Sequence, residues 1–116
     1  MVTSQATVDR FREVLAANFE VRVLKHLNRC FPRECASLEE PALTQLVRNS
    51  VRRADHYGFV NERDVCKYVD LALLFGSDFD TDPKLDWAQT ILGSPDYGDP
   101  GERADDLFDQ GMACCG

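Results

Sequence analysis

Apolar side chains near the start of the chain recur at about every fourth position. The stripe consists of Phe11, Leu15, Phe19, Val23, Leu27 and Phe31, and Val8, Val14 and Leu24 widen it. Such a repeat places its members on one side of a helix. The pattern therefore predicts one long amphipathic helix, which Pro32 ends.

The stretch 37-SLEE-40 predicts the start of a second helix. Ser37 would cap the amide of residue 40 while Glu40 reaches back, and Pro41 falls in the first turn, where proline is tolerated. The inward positions of this helix are Leu43, Leu46, Val47, Ser50, Val51, Ala54 and Tyr57. Gly58 is expected to end it in a left-handed conformation.

A third helix is predicted from Glu62 to Phe75, with Asn61 as its N-cap and Gly76 at its end. Its second half is apolar nearly all round, which is typical of a helix with neighbours on several sides. The run 71-LALLF-75 could also be a strand, but it continues a helical pattern and lacks β-branched residues. We therefore favour a central helix.

Two more helices are predicted after the dipeptides Asp82-Pro83 and Asp99-Pro100, each of which offers an aspartate N-cap followed by proline at the first helical position. The first should extend to about Leu92, and the second should have Glu102 completing a capping box. The inward residues are expected to be Leu85 or Ala88 with Trp87 and Ile91 in the first, and Ala104, Leu107 and Phe108 in the second. The stretch 93-GSPDYGDPG-101 forms a turn-rich connector.

These patterns predict an all-α fold, a compact orthogonal bundle of about five helices in a single domain, 1–116, with a flexible tail at 112–116. A chain of 116 residues can bury one hydrophobic core. The stretch 1–15 has no basic region followed by an apolar one, and no segment approaches the roughly 18 apolar residues of a membrane span. We expect a cytoplasmic protein that does not enter a membrane.

Charge is unevenly distributed along the chain. Residues 1–58 carry a net charge of +2 and residues 59–116 a net charge of −9, which gives the overall −7. The acidic half would repel a phosphate backbone, so nucleic acid is not an expected partner. An acidic face suits a basic protein partner, although single surface carboxylates usually serve solubility.

Three aspartates at alternate positions in 76-GSDFDTDP-83 raise the possibility of a calcium loop. With Asp78, Asp80 and Asp82 at the first, third and fifth positions of an EF-hand, Pro83 stands where glycine is required and Gln89 where a glutamate closes the site. An EF-hand is therefore excluded, although another oxygen-rich cation site stays open. The alternative is a connection between helices, in which Phe79 anchors the loop, Asp82 caps the next helix, and Asp78 and Asp80 face water or loop amides.

The cysteines and histidines suggest no complete reactive or metal site. His26 and Cys30 lie four residues apart with Cys35 just beyond, a partial zinc pattern that lacks a second pair of ligands. The odd number of cysteines, five, indicates free thiols, with Cys30 and Cys66 on or near buried helix faces and Cys114 and Cys115 in the tail. Nucleophile-elbow, P-loop, dinucleotide-binding and zinc-protease motifs are missing from the sequence, so we predict neither a cofactor nor an enzyme.

Two aromatic residues of the second half have different predicted roles. Trp87 is expected in the core, whereas Tyr97, in a loop of glycine and aspartate, suits an exposed contact. The candidate partner-binding residues are accordingly Asp78, Asp80, Asp86, Tyr97, Asp105 and Asp106.

The segment 55-DHYGFVNERDVCKYVDLALLFGSDFDTDPKLDWAQTILGSPD-96 resembles a group of small bacterial proteins. The matching residues include Tyr57, Gly58, Glu62, Arg63, Asp64, Val69, Asp70, Gly76, Asp78, Phe79, Asp80, Asp82, Pro83, Trp87 and Ala88. Proteins of this group are accessories encoded in type VI secretion effector clusters, near spike (VgrG) proteins, PAAR tip proteins and toxins. Many of the matching residues are predicted helix boundaries, so they describe a fold rather than a chemistry.

The resemblance implies a protein-binding role, that of an adaptor or chaperone which helps to load an effector onto the secretion spike. Its partner would be a secreted effector, a PAAR or VgrG component, or a cognate toxin. An immunity protein that neutralises the toxin is the close alternative. A metal-binding protein or enzyme built on the acidic loop is the more distant one.

Overall fold

The structure is a computed structural model that describes residues 18–94, 97 and 99–115. Six helices are present in this part of the chain: α1 over 18–30, α2 Pro32–Ala36, α3 Glu40–His56, α4 Glu62–Phe75, α5 Asp86–Leu92 and α6 Pro100–Cys115. The described residues include no strand, so the all-α prediction is confirmed. None of the helices in this part combines the length and the apolar character needed to cross a membrane.

Helix α1 ends before Pro32, as predicted, but the chain then forms a short helix that the sequence did not predict. Pro32 is the first residue of α2, since proline lacks only an amide that has no partner in the first turn. The predicted stripe positions Val8, Phe11, Val14 and Leu15 lie outside the described residues. Within them, Val23 and Leu27 are buried.

The predicted capping box at the start of α3 is wrong. Ser37 lies at the end of α2, where its hydroxyl donates to the carbonyl of Glu34 at 2.9 Å. Helix α3 begins at Glu40 without a side-chain cap, and Pro41 lies in its first turn as expected. The far end agrees with the prediction, because Gly58 has a φ of 89°, the left-handed region that glycine tolerates best.

Helix α4 is the central element and has the predicted bounds. The side chain of Asn61 accepts a hydrogen bond from the amide of Asp64 at 2.9 Å, and Gly76 follows the last turn with a φ of 105°. Buried residues occupy most of its circumference, and the helix packs against both α3 and α6. The core around it contains Val23, Leu27, Val47, Phe59, Tyr68, Val69, Leu71, Phe79, Ala88 and Leu107.

The two Asp-Pro dipeptides have different outcomes. Asp99 and Pro100 start α6 as predicted, and the Asp99 carboxylate accepts from the amide of Gly101 at 2.9 Å. After Asp82 and Pro83 the chain makes a turn, and α5 begins only at Asp86. Asp82 is therefore not a helix cap, although it accepts the amide of Lys84 at 2.9 Å within that turn. Helix α6 continues through Cys115 and so includes most of the predicted tail at 112–116.

Candidate functional site

The acidic loop at 76–83 is held by one arginine from α3. The guanidinium of Arg53 lies 2.8 Å from a carboxylate oxygen of Asp78 and 2.6 Å from one of Asp80, and it also donates to the carbonyl of Ser77 at 3.0 Å. A bidentate guanidinium is well suited to neutralise two carboxylates at once. The mutual repulsion of the loop aspartates is therefore relieved from within the chain.

Asp80 is a buried residue, which corrects its assignment as a water-facing or partner-binding group. Only 6% of its surface is exposed, and its second oxygen accepts the hydroxyl of Tyr57 at 2.8 Å. Burial, together with the neighbouring Asp80 carboxylate, raises the pKa of Tyr57 to about 12. The predicted anchoring role of Phe79 is confirmed, since this ring is fully buried 4.9 Å from that of Tyr68.

The loop offers little to a metal ion. Arg53 already occupies the space between Asp78 and Asp80, so a cation would have to displace an attached guanidinium. Asp82 uses its side chain and its carbonyl within the turn, where Gln89 donates to that carbonyl at 2.7 Å. Among the described residues, no three or more histidine, cysteine, aspartate or glutamate side chains are placed so that they could hold a metal ion together. The loop is better explained as a connection between helices.

A cavity between α5 and α6 brings together several residues of the acidic half. It has a volume of about 360 Å³ and is lined by Trp87, Thr90, Ile91, Tyr97, Asp106 and Gln110. The hydroxyl of Tyr97 donates to the carboxylate of Asp106 at 2.7 Å, so an aromatic ring and an acid stand side by side at this cavity. Trp87 packs edge-on against Phe75 of α4 at 5.4 Å and is half-buried, a position between core and surface.

The other candidate partner-binding residues are distributed around the molecule. Asp86 is exposed at the start of α5, and Asp78 is exposed next to Arg53. Asp105 turns toward α4, where it pairs with Lys67 and with Arg63, the latter at 2.9 Å. Hydrogen bonding from Lys67 is the main reason why the pKa of Asp105 is lowered. The structure thus brings Tyr97 and Asp106 together at the α5–α6 cavity, whereas Asp105 forms ion pairs with Lys67 and Arg63 of α4.

The residues of the predicted partial zinc pattern lie on opposite sides of α1, with His26 and Cys30 on one side and Cys35, a residue of α2, against the other. Cys35 is buried, which the sequence did not predict, and it lines a cavity with Leu24 and Asn28. His26 is two residues from each of these, about 200° around the helix, and contacts Cys30 and Asp70 instead. Cys30 is exposed, so its expected place near a buried face is wrong, whereas Cys66 is half-buried. Sequence reasoning missed Asp70 because it lies 44 residues from His26.

A second large cavity lies between α1 and α3, with a volume of about 450 Å³. Its lining includes Phe19, Val51, Arg48 and Arg52. This cavity borders Phe19, close to the start of the described residues, and its lining also includes Glu20, which pairs with Arg48 at 3.1 Å. Apart from the two amphipathic stripes, no feature of the sequence predicted this cavity.

No protein-family model, curated protein or solved structure matches this chain at a significant level.

Proposed function

We propose that this chain is a non-catalytic, protein-binding accessory that acts as an adaptor or chaperone for a bacterial type VI secretion effector or spike component. The observation that carries the proposal is the α5–α6 cavity, where Tyr97 donates a hydrogen bond to Asp106 and whose lining also includes Trp87 and Ile91. The resemblance of residues 55–96 supplies the class of partner. Loading of an effector would take place in the cytoplasm, before secretion.

The chemistry of the cavity suits a basic protein segment. Tyrosine gives a large contact area at a small entropic cost and is enriched at protein interfaces. Asp106 and the exposed Asp109 and Glu102 of the same helix supply negative charge. A partner segment that inserts an apolar side chain next to a lysine or arginine would match both features.

The aspartate loop contributes to this function mainly as scaffold. Because Arg53 and Tyr57 hold Asp80 inside the molecule, the loop fixes the start of the segment that leads to α5. Asp78 keeps an exposed side chain at the surface, with 75% of it accessible. Its partner in the chain, Arg53, reduces the charge that it can offer to another protein.

Co-purification with the products of the adjacent genes tests the proposal. We expect a stable complex with one effector or spike component. The charge reversal Asp106→Lys should raise the dissociation constant of this complex about tenfold or more, because like charges across an interface are costly. Asp55→Lys is the matched control, since Asp55 is an exposed acid of α3 away from the cavity. Absence of any complex, or equal effects of the two reversals, would contradict the proposal.

The same system separates the adaptor from the immunity protein. Cells that express the neighbouring toxin should not be rescued by this chain if it is an adaptor, although the toxin is bound. Rescue that Asp106→Lys abolishes would instead assign the same surface to toxin neutralisation. The two outcomes are read from growth curves with binding measured in parallel.

A further inference from the structure

A cysteine, a histidine and an aspartate form a continuous chain of contacts where α1 meets α4. The Sγ atom of Cys30 lies 3.7 Å from Nδ1 of His26, and Nε2 of His26 lies 2.9 Å from a carboxylate oxygen of Asp70. Cys30 is exposed, His26 is half-buried and Asp70 is buried. The three groups therefore lead from the surface into the protein in the order nucleophile, base and carboxylate.

The protonation state of Asp70 determines which nitrogen of His26 carries the proton. Burial raises the pKa of Asp70, and the imidazole of His26 acts in the opposite direction. In its ionised form the carboxylate only accepts hydrogen bonds, so Nε2 of the imidazole is then the donor toward Asp70. In the neutral ring this leaves the lone pair of Nδ1 facing the thiol of Cys30. The carboxylate also lies where it stabilises an imidazolium, the form that His26 takes once it accepts a proton.

This arrangement does not suit a shared metal ion. Cys30 and Asp70 contact different nitrogens of one imidazole, and these nitrogens point away from each other. One ion cannot bind the cysteine, the histidine and the aspartate together in this geometry. The chain of contacts fits proton transfer from the thiol to the imidazole instead, with Asp70 as the positioning residue.

We infer that Cys30 is a reactive thiol and a site of mixed-disulfide formation with low-molecular-weight disulfides. His26 takes the proton from Cys30, and the thiolate attacks one sulfur of the incoming disulfide. A bond forms between Sγ of Cys30 and that sulfur while the original sulfur–sulfur bond breaks. The departing thiolate takes up a proton, so Cys30 is oxidised to the mixed disulfide and half of the incoming molecule is reduced to a thiol.

The remaining described thiols provide an internal comparison. Burial raises the pKa of Cys35 and of Cys66, and both are less accessible than Cys30. Cys114 is exposed near the end of α6 and serves as the reference for a surface thiol. Reactivity follows thiolate character and access together, so Cys30 should react first.

Oxidised glutathione at pH 7 is the probe, with the chain carrying Cys115→Ser so that one thiol reports the end of α6. Trypsin separates Cys30 from Cys35 by cleavage at Arg33, and mass spectrometry then gives the rate at each site. We expect Cys30 to form the mixed disulfide about fivefold faster than Cys114. Equal rates in this native-like chain would overturn the inference without the need for any further variant.

Two variants assign the effect to the neighbours of the thiol. His26→Gln keeps an amide donor for Asp70 but no base for the thiol, and it should lower the Cys30 rate to that of Cys114. Asp70→Asn should lower the Cys30 rate about threefold. The Cys114 rate and the circular dichroism spectrum should stay unchanged in both variants. A role of His26 confined to helix packing would not alter the ratio of the Cys30 rate to the Cys114 rate. A ratio that survives His26→Gln contradicts the inference.

Discussion

Arg53 and Tyr57 determine what the acidic loop does. Arg53 lies in α3 and Tyr57 directly follows this helix, and both donate hydrogen bonds to Asp80. The buried carboxylate therefore has both a cation and a hydroxyl donor. A buried charge needs such partners, because an unpaired carboxylate loses its hydration without compensation. A motif that resembles an ion site in the sequence therefore links α3 to the segment before α5 through hydrogen bonds of Asp80.

The Tyr57→Phe variant tests the hydrogen bond from Tyr57 to Asp80 through the pH dependence of the unfolding free energy. Because the pKa of Tyr57 is raised to about 12 in the folded chain, from about 10 in an unfolded one, its contribution is complete below pH 10 and is lost as the pH rises toward 12. The unfolded chain binds fewer protons than the folded one in that window, so the free energy of unfolding falls with pH. The phenylalanine variant lacks this contribution.

Urea unfolding at several pH values measures the effect. At pH 7 we expect Tyr57→Phe to lose about 1 kcal/mol of unfolding free energy, because the Asp80 carboxylate loses one donor. Between pH 9 and pH 11 its stability should fall less steeply than that of the native chain. Equal slopes for the two proteins would show that burial and the Asp80 carboxylate do not raise the pKa of Tyr57 in the folded chain.

At the scale of helices, the sequence was most informative where a local signal decides the structure. The bounds of α4 were predicted because an asparagine cap and a left-handed glycine act on their own neighbouring backbone. Asp82-Pro83 misled because the same dipeptide fits either a helix start or a turn. A hydrogen bond from the side chain of Gln89, in the following helix α5, to the Asp82 carbonyl accompanies the turn.

Contacts between distant segments were beyond the reach of the sequence. Asp80 with Arg53, and Asp70 with His26, are separated by 27 and 44 residues. Periodicity shows that a position faces inward but not which side chain meets it there. The α5–α6 cavity was not predicted, although two of its lining residues, Tyr97 and Asp106, were among the candidate partner-binding residues. The chain of thiol, imidazole and carboxylate was not predicted either.

The close packing of α6 on α4 and α5 leads to a prediction about Gly111. A methyl group at this buried position would collide with Leu71 of α4 and lie 3.2 Å from the ring of Trp87. Alanine would favour the helix by up to about 1 kcal/mol, but overpacking costs about 1 to 3 kcal/mol. We expect Gly111→Ala to lower the unfolding free energy by up to about 2 kcal/mol, which is the overpacking cost less the gain in helix propensity.

Gly101→Ala is the matched control in the same helix. A methyl group there would meet its nearest atom, an oxygen of Asp99, at 3.5 Å, which is an ordinary contact. This variant should keep or slightly raise the stability, because alanine restricts the unfolded chain more than glycine does. Urea titrations of both variants decide the matter, and a stabilised Gly111→Ala would mean that α6 can move away from α4.

At the scale of the whole molecule, α4 connects the helices that precede it, α1 to α3, with the helices that follow it, α5 and α6. It packs against α3 on one side and α6 on another, and its residues belong to the same buried core as those of α1, α3, α5 and α6. Loss of either set of contacts exposes the apolar surface of α4 to water. Such sharing of one core predicts that both halves unfold together.

The single tryptophan makes this cooperativity measurable. Trp87 lies on α5 against Phe75 of α4, so its fluorescence reports the packing of the second half, whereas far-ultraviolet circular dichroism reports all helices. We expect the two urea unfolding curves to coincide, with one midpoint and a slope of about 1 to 3 kcal/mol per molar urea. A circular dichroism transition that precedes the fluorescence change would show that the helices before α4 unfold first. The chain would then behave as two cooperative units rather than as one domain.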